Sequence, residues 1–317
     1  MSEVAVTAPL PGQALDRLAG VHAVRVRAPG PPLAGAELAA FVGAAEACVC
    51  LLADRVTAEV FRACPMLRVV ASYAVGVNNI DLDAARAAGV VVTNTPDVLT
   101  EATADLAWAL ILGVSRRVLA GDRLVRQGQF AGWKPDLLLG TGLQGKTLGV
   151  VGLGRIGRAV ARRGVAFGMR VAACTPRPPA SHTGVSCELV GELDELLARA
   201  DVLSLHCPLT AETRGLLDAR RLALLPPGAI LVNTSRGEVV DEAALVAALE
   251  SGHLGGAGLD VYEREPAVHP GLLGRDDVVL LPHLGSATRE TRTAMAELVA
   301  DNVLAVLAGR SPLTPVA

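Results

Sequence analysis

The sequence has 317 residues, of which 51% are hydrophobic, and this is enough for two domains that each bury a core. Its formal net charge of −3, without any block of like charge, argues against nucleic acid or an anionic membrane surface as a partner and favours small molecules. No apolar run approaches the 18 or so residues of a membrane span, and the N-terminus MSEVAVTAPL lacks the basic region of a secretory signal, so we expect a cytoplasmic protein.

The first 99 residues alternate short apolar runs with segments typical of helices. The apolar runs are VAVTA, ACVCLLA, LRVVASYA and GVVVTN, and the helical segments include AGAELAAFVGAA and DLDAARAAG. This alternation predicts an α/β domain with a parallel sheet and crossover helices. Six cysteines without a CxxC pair favour free thiols over disulfides or a metal site, and we expect no metal.

A long helix is predicted to begin near Thr100, where polar residues precede LAWALILGVSRRVL. Residues 118–142 are less regular and rich in glycine, which indicates an excursion from the core. An oligomer interface and a plain surface loop fit this segment equally well. From Lys146 the alternation of strands and helices resumes, so the second domain is also predicted to be α/β.

A glycine-rich loop opens this second α/β segment. Gly152, Gly154 and Gly157 form GxGxxG directly after the apolar run TLGVV and before a helical pattern that starts with Arg155 and Ile156. This context favours a dinucleotide site, because the glycines permit a tight turn and a close approach of the pyrophosphate to the helix N-terminus. A dinucleotide cofactor is therefore expected.

The acidic residue that such a loop requires at the end of the second strand is missing. Cys174 and Thr175 stand in its place, and Arg177 follows. An acid would bind the ribose 2′-hydroxyl of NAD and repel the 2′-phosphate of NADP, so the sequence predicts that NADP is preferred and that NAD is possible. The alternative is that Arg177, between two prolines, points into solvent and the site is merely permissive.

Side chains suited to carbonyl reduction lie at predicted strand ends in the second half of the chain. They are Arg236 in NTSRGEVV, Asp260 and Glu265 in GLDVYEREP, and His283 in LLPHLGSA. Ligands of open parallel sheets bind at the carboxyl ends of the strands, so these groups are candidates for one site. A tyrosine–lysine pair is excluded as the proton donor, since neither tyrosine is followed by a lysine four positions later.

Several ordered segments of the chain resemble those of a known family. The segments VVGLGRIG, VLSLHCPLT, ILVNTSRGEVVDEAAL, GGAGLDVYEREP and LLPHLGSAT, in this order, are similar to those of the D-isomer-specific 2-hydroxyacid dehydrogenases. Within that family, ASYAVGVNNIDLDAARAAGV and TNTPDVLTEATADLAWALIL look most like the glyoxylate and hydroxypyruvate reductases. The resemblance covers nearly the whole chain.

The resemblance implies two Rossmann-like, doubly wound parallel-sheet domains, with the cofactor domain inserted into the substrate domain. Residues 1–99 and 286–317 would form the substrate-binding domain, and residues 100–285 the NAD(P)-binding domain. The resemblance also implies a homodimer, built through residues 118–142 and the long helix before them.

The resemblance further implies roles for individual residues. Arg236 would bind the substrate carboxylate and the carbonyl oxygen, as its planar cationic fork allows. His283 would donate a proton to that oxygen, and Glu265 would orient the ring and favour the imidazolium. The backbone amides of Val75 and Gly76 would form a second clamp on the carboxylate. The other positions that would line the cofactor are Thr103, Pro208, Thr234, Ser235 and Asp260.

Together these expectations predict reduction of a small 2-oxo acid, glyoxylate or hydroxypyruvate, to the D-2-hydroxy acid. Two alternatives remain open. A short form of phosphoglycerate dehydrogenase is the first, although no additional basic cluster for a phosphate is visible. The second is a dinucleotide-sensing dimer without enzymatic function, like the transcriptional corepressors related to this family.

Overall fold

The computed structural model describes residues 1–176 and 185–316. Within these ranges the chain forms two compact units, one made of Met1–Leu99 with Ser286–Ala317 and the other of Thr100–Gly285. Arg177, the residue predicted to contact a 2′-phosphate, lies outside the described residues.

The first unit contains a five-stranded parallel sheet with the order β2-β1-β3-β4-β5. Its strands are β1 (Glu3–Val6), β2 (Ala23–Val26), β3 (Ala47–Cys50), β4 (Val69–Ser72) and β5 (Val91–Thr93). The connecting helices are α1 (Ala14–Ala19), α2 (Gly35–Val42), α3 (Ala58–Ala63) and α4 (Leu82–Ala87). Every residue of β3 and β4 is buried, as expected for central strands that are covered on both faces.

The second unit contains a seven-stranded parallel sheet with the order β12-β11-β10-β9-β6-β7-β8. Its strands are β6 (Thr147–Val151), β7 (Arg170–Cys174), β8 (Glu188–Leu189), β9 (Val202–Leu205), β10 (Ala229–Asn233), β11 (Leu254–Leu259) and β12 (Val278–Leu280). Its helices are α5 (Thr100–Ser115), α6 (Val118–Arg126), α7 (Arg155–Ala166), α8 (Leu193–Leu197), α9 (Ala219–Leu222) and α10 (Glu242–Glu250). The strand order reverses between β6 and β9, which is where open sheets of this kind bind ligands.

Part of the segment expected to be irregular is helical. Residues 118–126 form α6, where Asp122 and Arg126 pair at 2.8 Å across one helical turn. Several large apolar side chains on and after α6 are exposed, including Trp133 at 82%. The excursion therefore begins with an amphipathic helix whose apolar side chains are only partly covered within the chain.

The chain returns to the first unit through α11 (Arg289–Leu307). The Thr288 hydroxyl caps this helix by accepting a hydrogen bond from the amide of Thr291. Helix α11 buries Val299 and Val303 in the same apolar cluster as strand β1. Beyond the helix, the amide of Val316 donates to the carbonyl of Val92 at 2.8 Å, so the end of the chain pairs with β5.

Over residues 1–176 and 185–316, no helix combines the length and the apolar character needed to cross a membrane. In the same ranges, no three His, Cys, Asp or Glu side chains are grouped so that they could hold a metal ion.

Candidate active site

The glycine-rich loop joins β6 to α7 and has the shape of an anion site. Gly152 adopts a φ of 90°, and a Cβ there would lie 2.8 Å from the backbone of residues 206 and 207. A Cβ at Gly157 would collide with the carbonyl oxygen of Gly152. Gly154, the N-cap of α7, instead faces open space, so the first turn of the helix is accessible to a phosphate. These residues fit the pyrophosphate of a dinucleotide.

Arg155 and Ile156 are the first two residues of α7, and their side chains differ in exposure to solvent. Arg155 is exposed, whereas Ile156 is partly buried and packs against the apolar cluster that contains Leu148 and Val150 of β6. Next to this loop, the carbonyl of Cys174 at the end of β7 accepts a hydrogen bond from the Gly152 amide at 2.9 Å. Neutral side chains, Cys174 and Thr175, thus stand beside the glycine loop where an acid would bind a ribose.

Two buried polar atoms, on the residues directly after β9 and β10, have no hydrogen-bond partner among the described residues. They are the hydroxyl of Thr234 and Nδ1 of His206, whose Nε2 contacts the Ser204 hydroxyl at 2.8 Å. Burial lowers the pKa of His206 to about 3, so this ring is neutral. Pro208, two residues later, is exposed. Unpaired polar atoms of this kind are consistent with a polar ligand at this edge.

Asn233, at the end of β10, shapes the turn that carries Arg236. Its side-chain oxygen accepts hydrogen bonds from the amide and the hydroxyl of Ser235, at 3.0 and 2.8 Å. Its amide group donates to the carbonyl of Arg236 at 2.9 Å. Because Asn233 is only 1% exposed, this turn is built from inside the protein.

Arg236 is a partly buried cation. Burial lowers the pKa of its guanidinium, while the negative charges of Glu265 and Glu238 act in the opposite direction. Its Nη1 donates to the carbonyl of Ser235 at 2.7 Å, which leaves other donors of the guanidinium for a ligand. An arginine remains charged even when its pKa is lowered, so a carboxylate is the ligand that this group favours.

Gly237 allows the turn of Arg236 to approach the segment that carries Glu265. A Cβ at Gly237 would overlap with the backbone of Tyr262 and Glu263. The two segments therefore touch through their backbones, and only glycine permits this contact. The sequence analysis did not single out this residue, although it directly follows Arg236.

Glu265 and His283 form a hydrogen-bonded pair. Nδ1 of His283 lies 3.1 Å from Oε2 of Glu265, and Oε1 of Glu265 accepts from the amide of Tyr262 at 3.1 Å. Burial acts to raise the pKa of Glu265, but the hydrogen bond and charge of His283, the Tyr262 amide and Arg236 outweigh it, so this pKa is lowered. The carboxylate thus stays ionised, and Nε2 is the ring nitrogen of His283 that can act on a ligand.

The backbone of His283 is in the left-handed region, with a φ of 55°. For a residue that is not glycine this conformation is strained, and it persists only when the surroundings impose it. The His283 amide donates to the carbonyl of Asp260, while the two carboxylate oxygens of Asp260 accept from the amides of Leu284 and Gly285 at 2.6 and 2.8 Å. Asp260 thereby holds the turn that presents the catalytic candidate.

Thr103 secures the same turn, because its hydroxyl donates to the carbonyl of Gly285 at 3.1 Å. In this structure the polar groups of Thr103 and Asp260, both predicted to line the cofactor, are engaged with the turn at 283–285. Burial raises the pKa of Asp260, and the amides of Leu284 and Gly285 and the charge of His283 oppose this.

A pair of glutamates, not identified from sequence, fastens the segment before Glu265 to α10. The Glu242 carboxylate accepts from the amide of Glu263 at 2.8 Å, and the Glu263 carboxylate faces the amide of Glu242 at 3.5 Å. Glu242 is 6% exposed, so its carboxylate is largely shielded from solvent. The acidic residues in the segments VVDEAA and VYEREP were the sequence feature that could have indicated this pair.

The second unit thus brings together three of the predicted side chains, Arg236, Glu265 and His283, on the turns after β10, β11 and β12. Val75 and Gly76 belong to the first unit, in the loop after β4. There the Val75 carbonyl accepts a hydrogen bond from the side chain of Asn94 at 2.8 Å.

Comparison with known proteins gives concordant results. Residues 108–285 match the family described as D-isomer specific 2-hydroxyacid dehydrogenase, NAD binding domain. The chain is 49% identical over 274 residues to a glyoxylate reductase of Thermococcus onnurineus, which covers 85% of this chain and 82% of the relative.

Two solved structures show the same fold over the whole chain. A protein of Thermus thermophilus superposes with a TM-score of 0.93 at 50% identity and covers 99% of this chain and 100% of its own. An NADPH-dependent glyoxylate/hydroxypyruvate reductase of Sinorhizobium meliloti, in complex with NADP and malonate, superposes with a TM-score of 0.88 at 37% identity. That match covers 100% of this chain and 97% of the other.

Proposed function

The chain belongs to the D-isomer-specific 2-hydroxyacid dehydrogenase family, and on this basis we propose that it reduces glyoxylate and hydroxypyruvate to 2-hydroxy acids with NADPH. It is an NAD(P)-dependent oxidoreductase with two parallel-sheet α/β units. The observation that carries the proposal is the hydrogen-bonded pair of Glu265 and His283 in the same unit as the partly buried guanidinium of Arg236. Such a set can bind a carboxylate and protonate the neighbouring carbonyl oxygen.

In the proposed mechanism, Arg236 binds the substrate carboxylate and polarises the carbonyl group. The amides of Val75 and Gly76 are proposed as a second contact for the substrate carboxylate. The nicotinamide cofactor, when bound, supplies the hydride that the carbonyl carbon receives. Nε2 of His283 donates the proton to the carbonyl oxygen, and Glu265 holds the ring through Nδ1 and stabilises its positive charge.

The proposed cofactor site is the glycine loop with the first turn of α7. Gly152, Gly154 and Gly157 would admit the pyrophosphate, and the neutral end of β7 would tolerate a 2′-phosphate. The Sinorhizobium relative is NADPH-dependent, which supports the same preference here. Arg177 is proposed to add a charge-assisted contact to that phosphate.

The test is a kinetic panel with glyoxylate, hydroxypyruvate and 3-phosphohydroxypyruvate, each with NADPH and NADH. We expect turnover of the first two substrates, and an advantage for NADPH of about tenfold or more in kcat/KM, which corresponds to about 1.4 kcal/mol. This advantage should shrink in Arg177→Ala. Equal use of both cofactors would refute the NADPH preference alone, whereas no turnover of either 2-oxo acid would refute the proposed activity.

A phosphoglycerate dehydrogenase activity and a purely sensing role are the less favoured alternatives, since the relatives named above are glyoxylate reductases. The panel separates them. Preferential turnover of the phosphorylated substrate would indicate the first, and dinucleotide binding without any turnover would indicate the second.

We also propose a homodimer that is formed through α6 and the segment after it. The supporting observation is the exposure of Val125 at 60%, Phe130 at 53% and Trp133 at 82%. Analytical ultracentrifugation should give twice the chain mass for the wild type, and less for Val125→Asp. Val21→Asp, at an equally exposed apolar position of the first unit, is the control. A monomeric wild type would contradict this proposal.

A further inference from the structure

The loop after β4, residues 73–79, carries the two amides that are proposed to bind the substrate carboxylate. It is held in the first unit from two directions. The Tyr73 hydroxyl donates to the carbonyl of Arg292 in α11 at 2.6 Å. At the other end of the loop, the side chain of Asn79 donates to the carbonyl of Asp54 at 2.8 Å. The centre of the loop is held by the segment after β5, in which the amide of Thr95 donates to the carbonyl of Ala74 at 2.9 Å and a neighbouring side chain makes one further contact.

That contact comes from Asn94, directly after β5. Its Nδ2 donates to the carbonyl oxygen of Val75 at 2.8 Å. This carbonyl belongs to the same peptide group as the amide of Gly76. A trans peptide is planar, and its C=O and N–H point in opposite directions. By holding the Val75 carbonyl, Asn94 therefore fixes the direction in which the Gly76 amide can donate.

Asn94 is in turn held by Thr314 in the last segment of the chain. The Thr314 hydroxyl donates to the carbonyl of Asn94 at 2.6 Å, and the Asn94 amide donates to the carbonyl of Thr314 at 3.3 Å. The same hydroxyl accepts from Nδ2 of Asn302 at 2.9 Å. One hydroxyl group thus serves as donor and acceptor, which a valine in its place could not do.

Asn302 is the buried end of this series. It lies in α11 with no exposed surface, and its side-chain oxygen accepts from the amides of Leu313 and Thr314 at 2.9 and 3.0 Å. Its amide group also donates to the carbonyl of Leu298, one helical turn earlier. All its hydrogen-bonding capacity is used, so it is a rigid anchor for the end of the chain.

We propose that Asn94 is a positioning residue for substrate binding, and that Thr314 and Asn302 hold it in place through the C-terminal segment. The inference rests on the proposed function, in which the amides of Val75 and Gly76 bind the substrate carboxylate. It assigns Thr314 and its segment a part in substrate affinity that acts through Asn94, whose side chain contacts the Val75 carbonyl.

The experiment compares Asn94→Ala, Thr314→Val and Thr314→Ser with the wild type. Asn94→Ala should raise KM for glyoxylate about fivefold to tenfold, as the loss of one net hydrogen bond would. KM for NADPH should stay unchanged, because the glycine loop belongs to the other unit. Thr314→Val should raise KM for glyoxylate about threefold, a fraction of that loss, and Thr314→Ser should restore the wild-type value.

Leu313→Ala is the matched control, since this side chain lies in the same segment and is 55% exposed. It should leave both KM values unchanged. If wild-type turnover is present and KM for glyoxylate is the same in all variants, the inference is wrong while the proposed function stands. KM values for glyoxylate and NADPH that rise together would show a general structural role and would also overturn the inference. If Asn94→Ala does not fold, the comparison of KM for glyoxylate between Thr314→Val and Thr314→Ser tests the inference. Absence of wild-type turnover would overturn the proposed function itself.

Discussion

The loops after β4 and β5 in the first unit and the turns after β10, β11 and β12 in the second all leave the carboxyl ends of parallel strands, yet they present different chemistry. The loop after β4 offers backbone amides at Val75 and Gly76. The turns of the second unit offer the side chains of Arg236, Glu265 and His283. The two units therefore share an architecture but divide the proposed work between backbone and side chains.

The supporting contacts differ in the same way. In the first unit, the side chain of Asn94 holds the Val75 carbonyl of the loop after β4, and the side chain of Asn79 fastens the end of this loop to the carbonyl of Asp54. In the second unit, the Asp260 carboxylate accepts hydrogen bonds from two backbone amides, and these bonds hold His283 in its strained conformation. A site built from backbone groups depends on loop geometry, whereas a site built from side chains depends on residue identity. This difference predicts unequal responses to mutation.

The largest effect is expected for His283→Ala. Removal of the proton donor should lower kcat by about 10² to 10⁴, the usual contribution of a general acid. His253→Ala, in the turn before β11, is the control in the same unit. Steady-state kinetics at saturating cofactor measure this, and a loss below tenfold would show that the second unit does not supply the acid.

Arg236→Lys should have the next largest effect. A lysine keeps the charge but loses the planar fork, so kcat/KM should fall about tenfold to hundredfold, as expected for one lost charge-assisted hydrogen bond of about 1.5–3 kcal/mol. The fall should be seen mainly in KM for the 2-oxo acid. A variant with wild-type KM would mean that Arg236 does not bind the carboxylate.

Glu265→Gln should change the pH dependence. Because the pKa of Glu265 is lowered from 4.5, its carboxylate is charged throughout the neutral range and favours the protonated ring of His283. The substitution removes this negative charge from beside the proton donor, so carbonyl reduction should decline at a lower pH than in the wild type. A pH–rate profile of kcat/KM that does not move toward lower pH would contradict the pairing.

Val75→Ala should have the smallest effect. The proposed contribution of this residue is its amide, which alanine keeps, so KM for glyoxylate should change less than about fivefold, within the roughly 1 kcal/mol typical of point mutations. A loss as large as that of Arg236→Lys would break the comparison, because it would show that the first unit also works through a side chain.

The sheets show where sequence patterns were sufficient. Central strands such as β3, β4 and β10 are continuous apolar runs, and these runs predicted them. The strands β2 and β8, which the sequence analysis did not identify, both lie at sheet edges, where burial is partial and apolar runs are not required. Helix α6 was missed although it is amphipathic, because the glycines and the proline that follow it make residues 118–142 look irregular as a whole.

The candidate site was predictable to a similar degree. The residue types at positions 236, 265 and 283, together with their location after apolar runs, are enough to indicate carbonyl chemistry. Gly237 and Glu242 were not identified, since their importance lies in contacts with residues 21 to 26 positions away. Asn94 was missed for the same reason, because its partners are Val75 and Thr314.

The sequence alone determined the class of fold, the dinucleotide loop and the family, because each depends on local patterns: apolar periodicity, glycine spacing and ordered motifs. The tertiary structure decided how the site is held. Asp260 accepts hydrogen bonds from amides of the turn at 283–285, in which His283 is left-handed. Hydrogen bonds also lead from Asn302 through Thr314 and Asn94 to Val75. Both sets of contacts join residues that are distant in the chain. These hydrogen bonds form only after the strands have paired into a sheet, because donor and acceptor must then lie within about 3 Å of each other.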